Sequence, residues 1–218
     1  MFFKQRKASP FFLFLLGALS GFLLGVAVYY FLFAQQGKTL MPSTSSEPVA
    51  SFDITPYDHF QGNYNAPVTL VVFNDFTCPY CQQYALTLEK LISDYQNKVR
   101  LVWKHFPLNQ NYLLAAVASE CADEQGKFWQ YAHGLYTRQE PYNHDFYLQL
   151  AHQLNLDVDK FETCLSSDKY EAKIKADYYE GVMKGVLGAP ATFINGHYFP
   201  GAIPLTELKD ILDRLLTQ

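Results

Sequence analysis

VTLVVFNDFTCPYC, residues 68–81, joins a short apolar run to two cysteines that are three positions apart. The run 68–73 is rich in β-branched residues and is bounded by Asn-Ala-Pro before it and Asn-Asp after it, a pattern typical of a fully buried strand. After Cys81, apolar residues recur at positions 84, 88, 91, 92 and 95, which marks one face of a helix. The sequence therefore predicts that Cys78 and Cys81 lie where a central strand turns into a helix.

The elements that follow complete an α/β pattern. Residues 99–106 predict a second strand, whereas 107–188 contains only helical patterns, with stop or cap residues between them. Two short apolar runs then flank Asn195-Gly196, a dipeptide typical of a two-residue hairpin turn, and Pro204 opens a last amphipathic helix. This order predicts a thioredoxin-like fold with an all-helical domain inserted at about 107–188.

The first fifty residues differ in composition from the rest. Residues 1–10 form a basic stub, and residues 11–34 form a run of 24 residues without a charged side chain. About 20 apolar residues in a helix cross a bilayer core, whereas the apolar part of a cleaved signal usually has about 7 to 15. The sequence thus predicts one transmembrane helix at 11–34, with a cleaved signal and a buried core helix as alternatives. Residues 35–51 predict a flexible linker to a folded domain at 52–218.

The charges indicate where that domain lies. The basic residues precede the apolar run, and basic flanks tend to stay cytoplasmic, so the N-terminus is expected in the cytoplasm. The folded domain is then extracytoplasmic, in the periplasm or at the cell-envelope exterior. Beyond residue 50 the chain has 13 Lys and Arg against 20 Asp and Glu, a formal charge of −7, which argues against a nucleic-acid partner.

The Cys78-Pro79-Tyr80-Cys81 motif is suited to thiol-disulfide exchange. A thiolate attacks a disulfide, and the N-terminus of a helix favours negative charge by about 0.3 to 2 kcal/mol, which identifies Cys78 as the nucleophile. Pro79 suits the first helical turn, and Cys81, one turn further in, is expected to be the resolving partner. Zinc binding is an alternative, but the six histidines form no HxxxH pair. An inert structural disulfide within the motif is another.

Two further cysteines, Cys121 and Cys164, lie on predicted helices of the insertion. An extracytoplasmic domain permits disulfides, so these two are interpreted as a structural pair. Closing a loop of roughly 40 residues stabilises a domain by about 3 to 4 kcal/mol in the chain-entropy model. A second redox pair and free buried thiols are the alternatives.

Three segments resemble the DsbA-like family of thiol-disulfide oxidoreductases. They are GNYNAPVTLVVFNDFTCPYC, ASECADEQGKFWQY and GVLGAPATFINGHYFPGAIP, which together frame residues 62–204. The resemblance implies a cis-Pro190 facing Cys78 as part of the catalytic site, and a substrate peptide that pairs with the backbone of Ala189 and contacts Pro79 and Tyr80. It also implies a membrane reoxidant similar to DsbB, and neither a cofactor nor a metal.

The chain departs from the family at one position. Relatives often have a buried acid six positions before the first cysteine, where this chain has Val72. The nearest acid is Asp75, which strand alternation places on the opposite face, so Asp75 is not expected to replace that acid. Without the acid, proton transfer from Cys81 is expected either to be slower or to use a water molecule or Lys104. Ala189 is also smaller than the residue often found before the cis-proline.

The function predicted from these features is a dithiol oxidase that introduces disulfides into exported proteins with free thiols. A disulfide reductase or isomerase of the same fold is the first alternative, because the environment of the two sulfurs decides the direction of electron flow. A non-catalytic peptide-binding or metal-handling module is the alternative from another class.

Overall fold

The computed structural model describes residues 49–109, 113–138 and 141–217. The predicted basic stub, the transmembrane helix at 11–34 and nearly all of the linker lie outside these residues. Within the described ranges, no helix is long and apolar enough to span a bilayer.

Five strands and seven α-helices make up the described part of the chain. The strands are β1 (His59–Gly62), β2 (Val68–Asn74), β3 (Val99–His105), β4 (Ala191–Ile194) and β5 (His197–Pro200). The helices are α1 (Pro79–Tyr95), α2 (Leu113–Asp123), α3 (Phe128–Thr137), α4 (His144–Gln153), α5 (Val158–Leu165), α6 (Glu171–Met183) and α7 (Leu205–Leu216), with a 3₁₀ turn at Gln96–Lys98. The predicted order of strand, helix, strand, helices, hairpin and helix is confirmed. The four-residue strand β1 was not predicted.

The strands form one sheet in the order β1-β3-β2-β4-β5. Strands β2 and β3 are parallel, because α1 carries the chain back between them, and the other neighbours are antiparallel. The β2–β4 register pairs Leu70 with Ile194 and Phe73 with Ala191. The carboxyl end of β2, where α1 begins, therefore lies beside the start of β4.

The alternation of β2 side chains divides the core between the two faces of the sheet. Leu70 and Val72 pack with buried residues of α1 and α7, among them Leu88 and Leu208. The opposite face carries Val71, Phe73, Val102 and Phe193, which are covered by Phe52 and by Tyr178 of α6. Both faces of β2 are buried, which explains its continuous apolar sequence.

Helices α2 to α6 lie between β3 and β4 in sequence, and no strand interrupts the described part of that stretch. They pack around a core of their own that includes Trp103 of β3 and Tyr131 of α3. Asn143 and Asp157 are the N-caps of α4 and α5, and each cap is held by a hydrogen bond to its side chain. The Asn143 side chain accepts from the Phe146 backbone N–H at 2.8 Å, and that of Asp157 accepts from Lys160 at 3.1 Å.

The described chain begins at the end of the sheet that is remote from the first residues of α1. The Ala50 backbone N–H donates to the carbonyl of Gly196 in the β4–β5 turn at 3.0 Å. The same turn is held to the start of β2, because the Asn195 side chain accepts from the Thr69 backbone N–H at 2.8 Å. Positive φ angles at Asn195 and Gly196 are those of a type I′ turn, which agrees with the predicted two-residue hairpin turn.

Candidate active site

The cysteine motif lies at the start of α1, where the sequence predicted it. Cys78 is the N-cap of the helix in an extended conformation, and Pro79 occupies the first helical position. The Cys78 carbonyl accepts from the Gln82 backbone N–H at 3.0 Å, and the Cys78 N–H donates to the Asp75 carbonyl at 3.3 Å. The Cys78 side chain makes no capping hydrogen bond, and the residue lies at the end of the helix where backbone N–H groups lack partners within the helix.

The two cysteines of the motif are free thiols that differ in exposure. Cys78 is partly exposed, whereas Cys81 is 0% exposed. Burial is the largest effect on the Cys81 thiol and raises its pKa well above the usual value. The neighbouring Cys78 acts in the same direction. Only one sulfur of the pair can therefore be reached from solvent, and the other is held as a thiol.

The segment before β4 lies against the Cys78 sulfur. The Ala189–Pro190 peptide bond is cis, and the Cys78 thiol donates to the Ala189 carbonyl with an Sγ–O distance of 3.8 Å. Behind this segment, the hydroxyls of Tyr84 on α1 and Thr192 on β4 share a buried hydrogen bond of 2.8 Å. The structure thus brings the Cys78–Cys81 motif together with Ala189 and Pro190, which follow the motif by more than 100 residues in sequence.

The surface around Cys78 is apolar and exposed. Pro79 is exposed, and Tyr80 is exposed to 71%. Leu187, two positions before Ala189, is exposed to 94%, although the sequence analysis did not select it. A single leucine outside a periodic pattern carries no signal of exposure, and its place beside the cis-proline segment depends on the tertiary fold.

Asp75 lies just beyond the end of strand β2. Strand β2 ends at Asn74, so the alternation of side chains along a strand does not extend to Asp75. The chain turns inward instead, and Asp75 is 3% exposed, with its carboxylate accepting from the Thr77 backbone N–H at 2.7 Å and from the Leu108 backbone N–H at 2.8 Å. Val72 lies in the apolar core between the sheet and α1.

Lys104 is engaged elsewhere. Its ammonium nitrogen lies 2.5 Å from Asp58 Oδ1, 3.0 Å from Glu180 Oε2 and 3.5 Å from Asp177 Oδ1. Burial alone would lower the pKa of Lys104. The hydrogen bond to Asp58 and the charge of Asp177 outweigh burial and raise this pKa above its usual value. Lys104 therefore remains a cation that ties β3 to α6, and it is not placed to accept a proton from Cys81.

The remaining two cysteines are joined. A disulfide connects Cys121 on α2 with Cys164 on α5, with an S–S distance of 2.00 Å and a Cα–Cα distance of 5.7 Å. Both residues are buried in the core of the helical insertion. Because the sulfurs are shielded from solvent, they are not placed to exchange with a substrate.

One cluster of ligand-type residues lies outside the cysteine site. His59, His105 and Glu120 are buried and place one donor atom each within 4.8 Å of the others. The Trp103 indole N–H donates to His105 Nδ1 at 3.4 Å, so the proton of the neutral His105 ring is on Nε2. His105 Nε2 donates this proton to Glu120 at 2.7 Å. Because neither ring nitrogen of His105 then has a free lone pair, the cluster does not fit a metal. Lys173 also contacts the same Glu120 oxygen at 2.7 Å. The cluster is therefore a hydrogen-bonded ion-pair network.

Known proteins share both the sequence and the fold. The Thioredoxin_4 family model, described as thioredoxin, matches residues 54–214. Among curated proteins, the Na(+)/H(+) antiporter NhaA 3 of Salinispora tropica is 37% identical over 155 residues, which are 70% of this chain and 24% of the antiporter. The chain therefore spans about a quarter of the length of that relative.

Two solved structures match most of the chain. A thioredoxin-like oxidoreductase from Silicibacter pomeroyi DSS-3 is 27% identical with a TM-score of 0.68, covering 75% of this chain and 95% of that one. The thiol-disulfide exchange protein alpha-DsbA2 from Wolbachia pipientis shares the fold at 24% identity and a TM-score of 0.66, covering 72% and 86%. The chain therefore belongs to the thioredoxin family, among its DsbA-like thiol-disulfide oxidoreductases.

Proposed function

We propose that this protein is an extracytoplasmic dithiol oxidase that introduces disulfides into exported proteins through the Cys78–Cys81 couple. The observation that carries the proposal is the difference between the two sulfurs. Cys78 is partly exposed and lies beside the cis-Pro190 segment, whereas Cys81 is fully buried. A substrate thiolate can therefore reach one sulfur of the oxidised couple and not the other.

The reaction follows from this arrangement. A substrate thiolate attacks the Cys78 sulfur, a substrate–Cys78 disulfide forms, and Cys81 leaves and takes up a proton. A second substrate thiolate then attacks the substrate sulfur of the mixed disulfide, which expels Cys78 and releases the oxidised product. Two electrons pass to the Cys78–Cys81 dithiol, so each cycle requires reoxidation. We assign that step to a membrane protein similar to DsbB.

The substrate binds next to the reacting sulfur. In this proposal an extended peptide pairs with the backbone of Ala189 and contacts Pro79 and Tyr80, which are exposed at the start of α1. Pairing along a backbone edge gives affinity with little dependence on sequence, which suits an enzyme that acts on many proteins. The exposed Leu187 extends this apolar surface.

The proposed location rests on two features. The Cys121–Cys164 disulfide is a type of bond that persists in oxidising compartments and is rare in the cytosol. The uncharged run at 11–34, which follows basic residues, is suited to anchor the chain with its N-terminus in the cytoplasm. We therefore place the catalytic domain on the extracytoplasmic side of the membrane.

The test is refolding of reduced ribonuclease with the domain in its oxidised form. We expect Cys78→Ser to abolish oxidation of the ribonuclease thiols, because the accessible sulfur is lost. The matched variant Cys81→Ser keeps that sulfur and is expected to accumulate a mixed disulfide with the substrate. Unchanged activity of Cys78→Ser would mean that the domain is a non-catalytic module.

The direction of electron flow requires a separate measurement. Equilibration with graded glutathione buffers gives the potential of the Cys78–Cys81 couple, and an oxidase is expected at about −180 to −120 mV. A potential near about −270 mV would instead assign the protein as a reductase.

A further inference from the structure

One polar contact lies in the apolar core behind the reactive cysteines. The hydroxyls of Tyr84 and Thr192 are 2.8 Å apart, and the two residues are exposed to 1% and 0%. Tyr84 belongs to a cluster of buried apolar side chains that includes Val72, Leu88 and Ile194. Within the described part of the chain, no other hydrogen bond between two side chains joins α1 to β4.

This pair joins the two segments that form the site. Tyr84 lies on α1, three residues after Cys81. Thr192 lies on β4, two residues after the cis-proline Pro190. Ala191 belongs to the core on the other face of the sheet, so Thr192 points toward α1. The hydrogen bond therefore connects the helix that carries the cysteines to the strand that follows the cis-proline.

A buried pair of hydroxyls defines a geometry more than it adds stability. Replacing both hydroxyls by apolar groups of the same shape is nearly neutral for the stability of a protein. Apolar contacts are non-directional and permit a helix to slide over a sheet, whereas a hydrogen bond weakens steeply when its distance or angle changes. The Tyr84–Thr192 bond therefore selects one offset of α1 along β4. The same offset sets the distance of 3.8 Å between Cys78 Sγ and the Ala189 carbonyl oxygen.

We propose that Tyr84 and Thr192 are positioning residues that set the spacing between Cys78 and the peptide-binding segment at Ala189. A substrate peptide paired with that segment presents its cysteine at one place, so a change of offset misaligns the attacking thiolate with the disulfide. A small thiol that does not bind the segment approaches Cys78 from any open direction and is affected less. This inference rests on the proposed function, because it concerns the same couple and the same peptide edge.

The test compares two dithiols as substrates of the oxidised domain. One is a linear peptide that has two cysteines and further residues on both sides of each, and the other is dithiothreitol. In both cases a substrate thiolate attacks Cys78, and Cys81 leaves and takes up a proton. The second substrate thiolate then closes the substrate disulfide and expels Cys78, so two electrons pass to the couple. Acid quenching followed by chromatography gives the second-order rate constant for each substrate.

We expect Tyr84→Phe, Thr192→Val and the double variant each to react at least about tenfold more slowly with the peptide, because a misplacement of about 1 Å can cost about a hundredfold in rate. Their reaction with dithiothreitol should slow by less than about threefold, so the ratio of the two rate constants falls. Tyr95→Phe is the matched control. It removes a hydroxyl of α1 that binds Asp213 on α7 and leaves β4 untouched, so its ratio should equal that of the unmodified domain.

Urea unfolding of the same variants separates positioning from packing. Each single variant leaves one buried hydroxyl without its partner, which should raise the unfolding equilibrium constant roughly 10- to 100-fold, whereas the double variant should be close to the unmodified domain. A double variant that is stable and still selectively slow with the peptide supports the positioning role. If the peptide rate recovers together with stability, the pair only fills the core and the proposal is wrong.

The same rate constants separate this inference from the proposed function. The unmodified domain should oxidise both dithiols and Cys78→Ser neither. If the unmodified domain oxidises neither, or if Cys78→Ser keeps its rates, the assignment of the redox couple itself fails. If these controls behave as expected and the substrate ratio is the same in the double variant as in the unmodified domain, only the role of Tyr84 and Thr192 is wrong.

Discussion

Removal of the Cys121–Cys164 disulfide should cost this domain a large part of its stability. The bond joins residues 43 positions apart. In the chain-entropy model, closing a loop of that length lowers the entropy of the unfolded chain by about 13 cal/mol/K, which is about 4 kcal/mol at 25 °C. Since domains of this size are stable by about 5–15 kcal/mol, the loss would be a substantial fraction of the total.

Urea unfolding followed by circular dichroism measures this loss. The background should carry Cys78→Ser and Cys81→Ser, so that no free thiol exchanges with the bond under study. We expect Cys121→Ala, Cys164→Ala and the double variant each to lower the free energy of unfolding by about 4 kcal/mol, because the cross-link is lost once in all three. A double variant that loses the sum of the two singles, or singles that lose less than about 1 kcal/mol, would refute this reasoning.

Two further predictions concern β1 and its surroundings. Burial alone would raise the pKa of Asp58, but hydrogen bonds from Lys104 and Thr55 hold this pKa below its ordinary 3.8. The stability that Asp58 contributes is therefore present above pH 3.8 and is lost as the pH falls through the lower pKa of the folded state. The Asp58→Asn variant should therefore melt at a lower temperature than the unmodified protein at neutral pH, and its melting temperature should fall less on acidification. A melting temperature that falls as steeply with acid as that of the unmodified protein would contradict this. Gly62→Ala should cost about 1–3 kcal/mol in urea unfolding, because φ is +87° and the new Cβ would overlap the Val99 carbonyl. Gly126→Ala, at φ +70° with open space around it, is the control and should cost less.

Local signals were sufficient for most of the fold. The apolar run of β2, the helical face after Cys81 and the Asn195-Gly196 turn each specify their own conformation within a few residues. Strand β1 has no such signal. Its sequence HFQG is short and not alternating, and it becomes a strand because it pairs with β3 some 40 residues later.

The candidate site was predictable only in part. The position of Cys78 at a helix N-terminus follows from the sequence, because the strand and helix signals meet there. The inward turn of Asp75 does not, since it depends on donors from Thr77 and from Leu108. Charged residues such as Lys104 are usually exposed, and only the tertiary fold shows that this one is buried among carboxylates.

The point at which the chain enters the domain has a practical consequence. Ala50 is held at the Gly196 turn, and the β2–β4 register places that turn at the opposite end of the sheet from Cys78. A fusion partner or a solid support coupled directly at residue 49 would thus be attached at the opposite end of the sheet from Cys78. Immobilised forms of this domain should accept large, unfolded clients as readily as the free domain in solution.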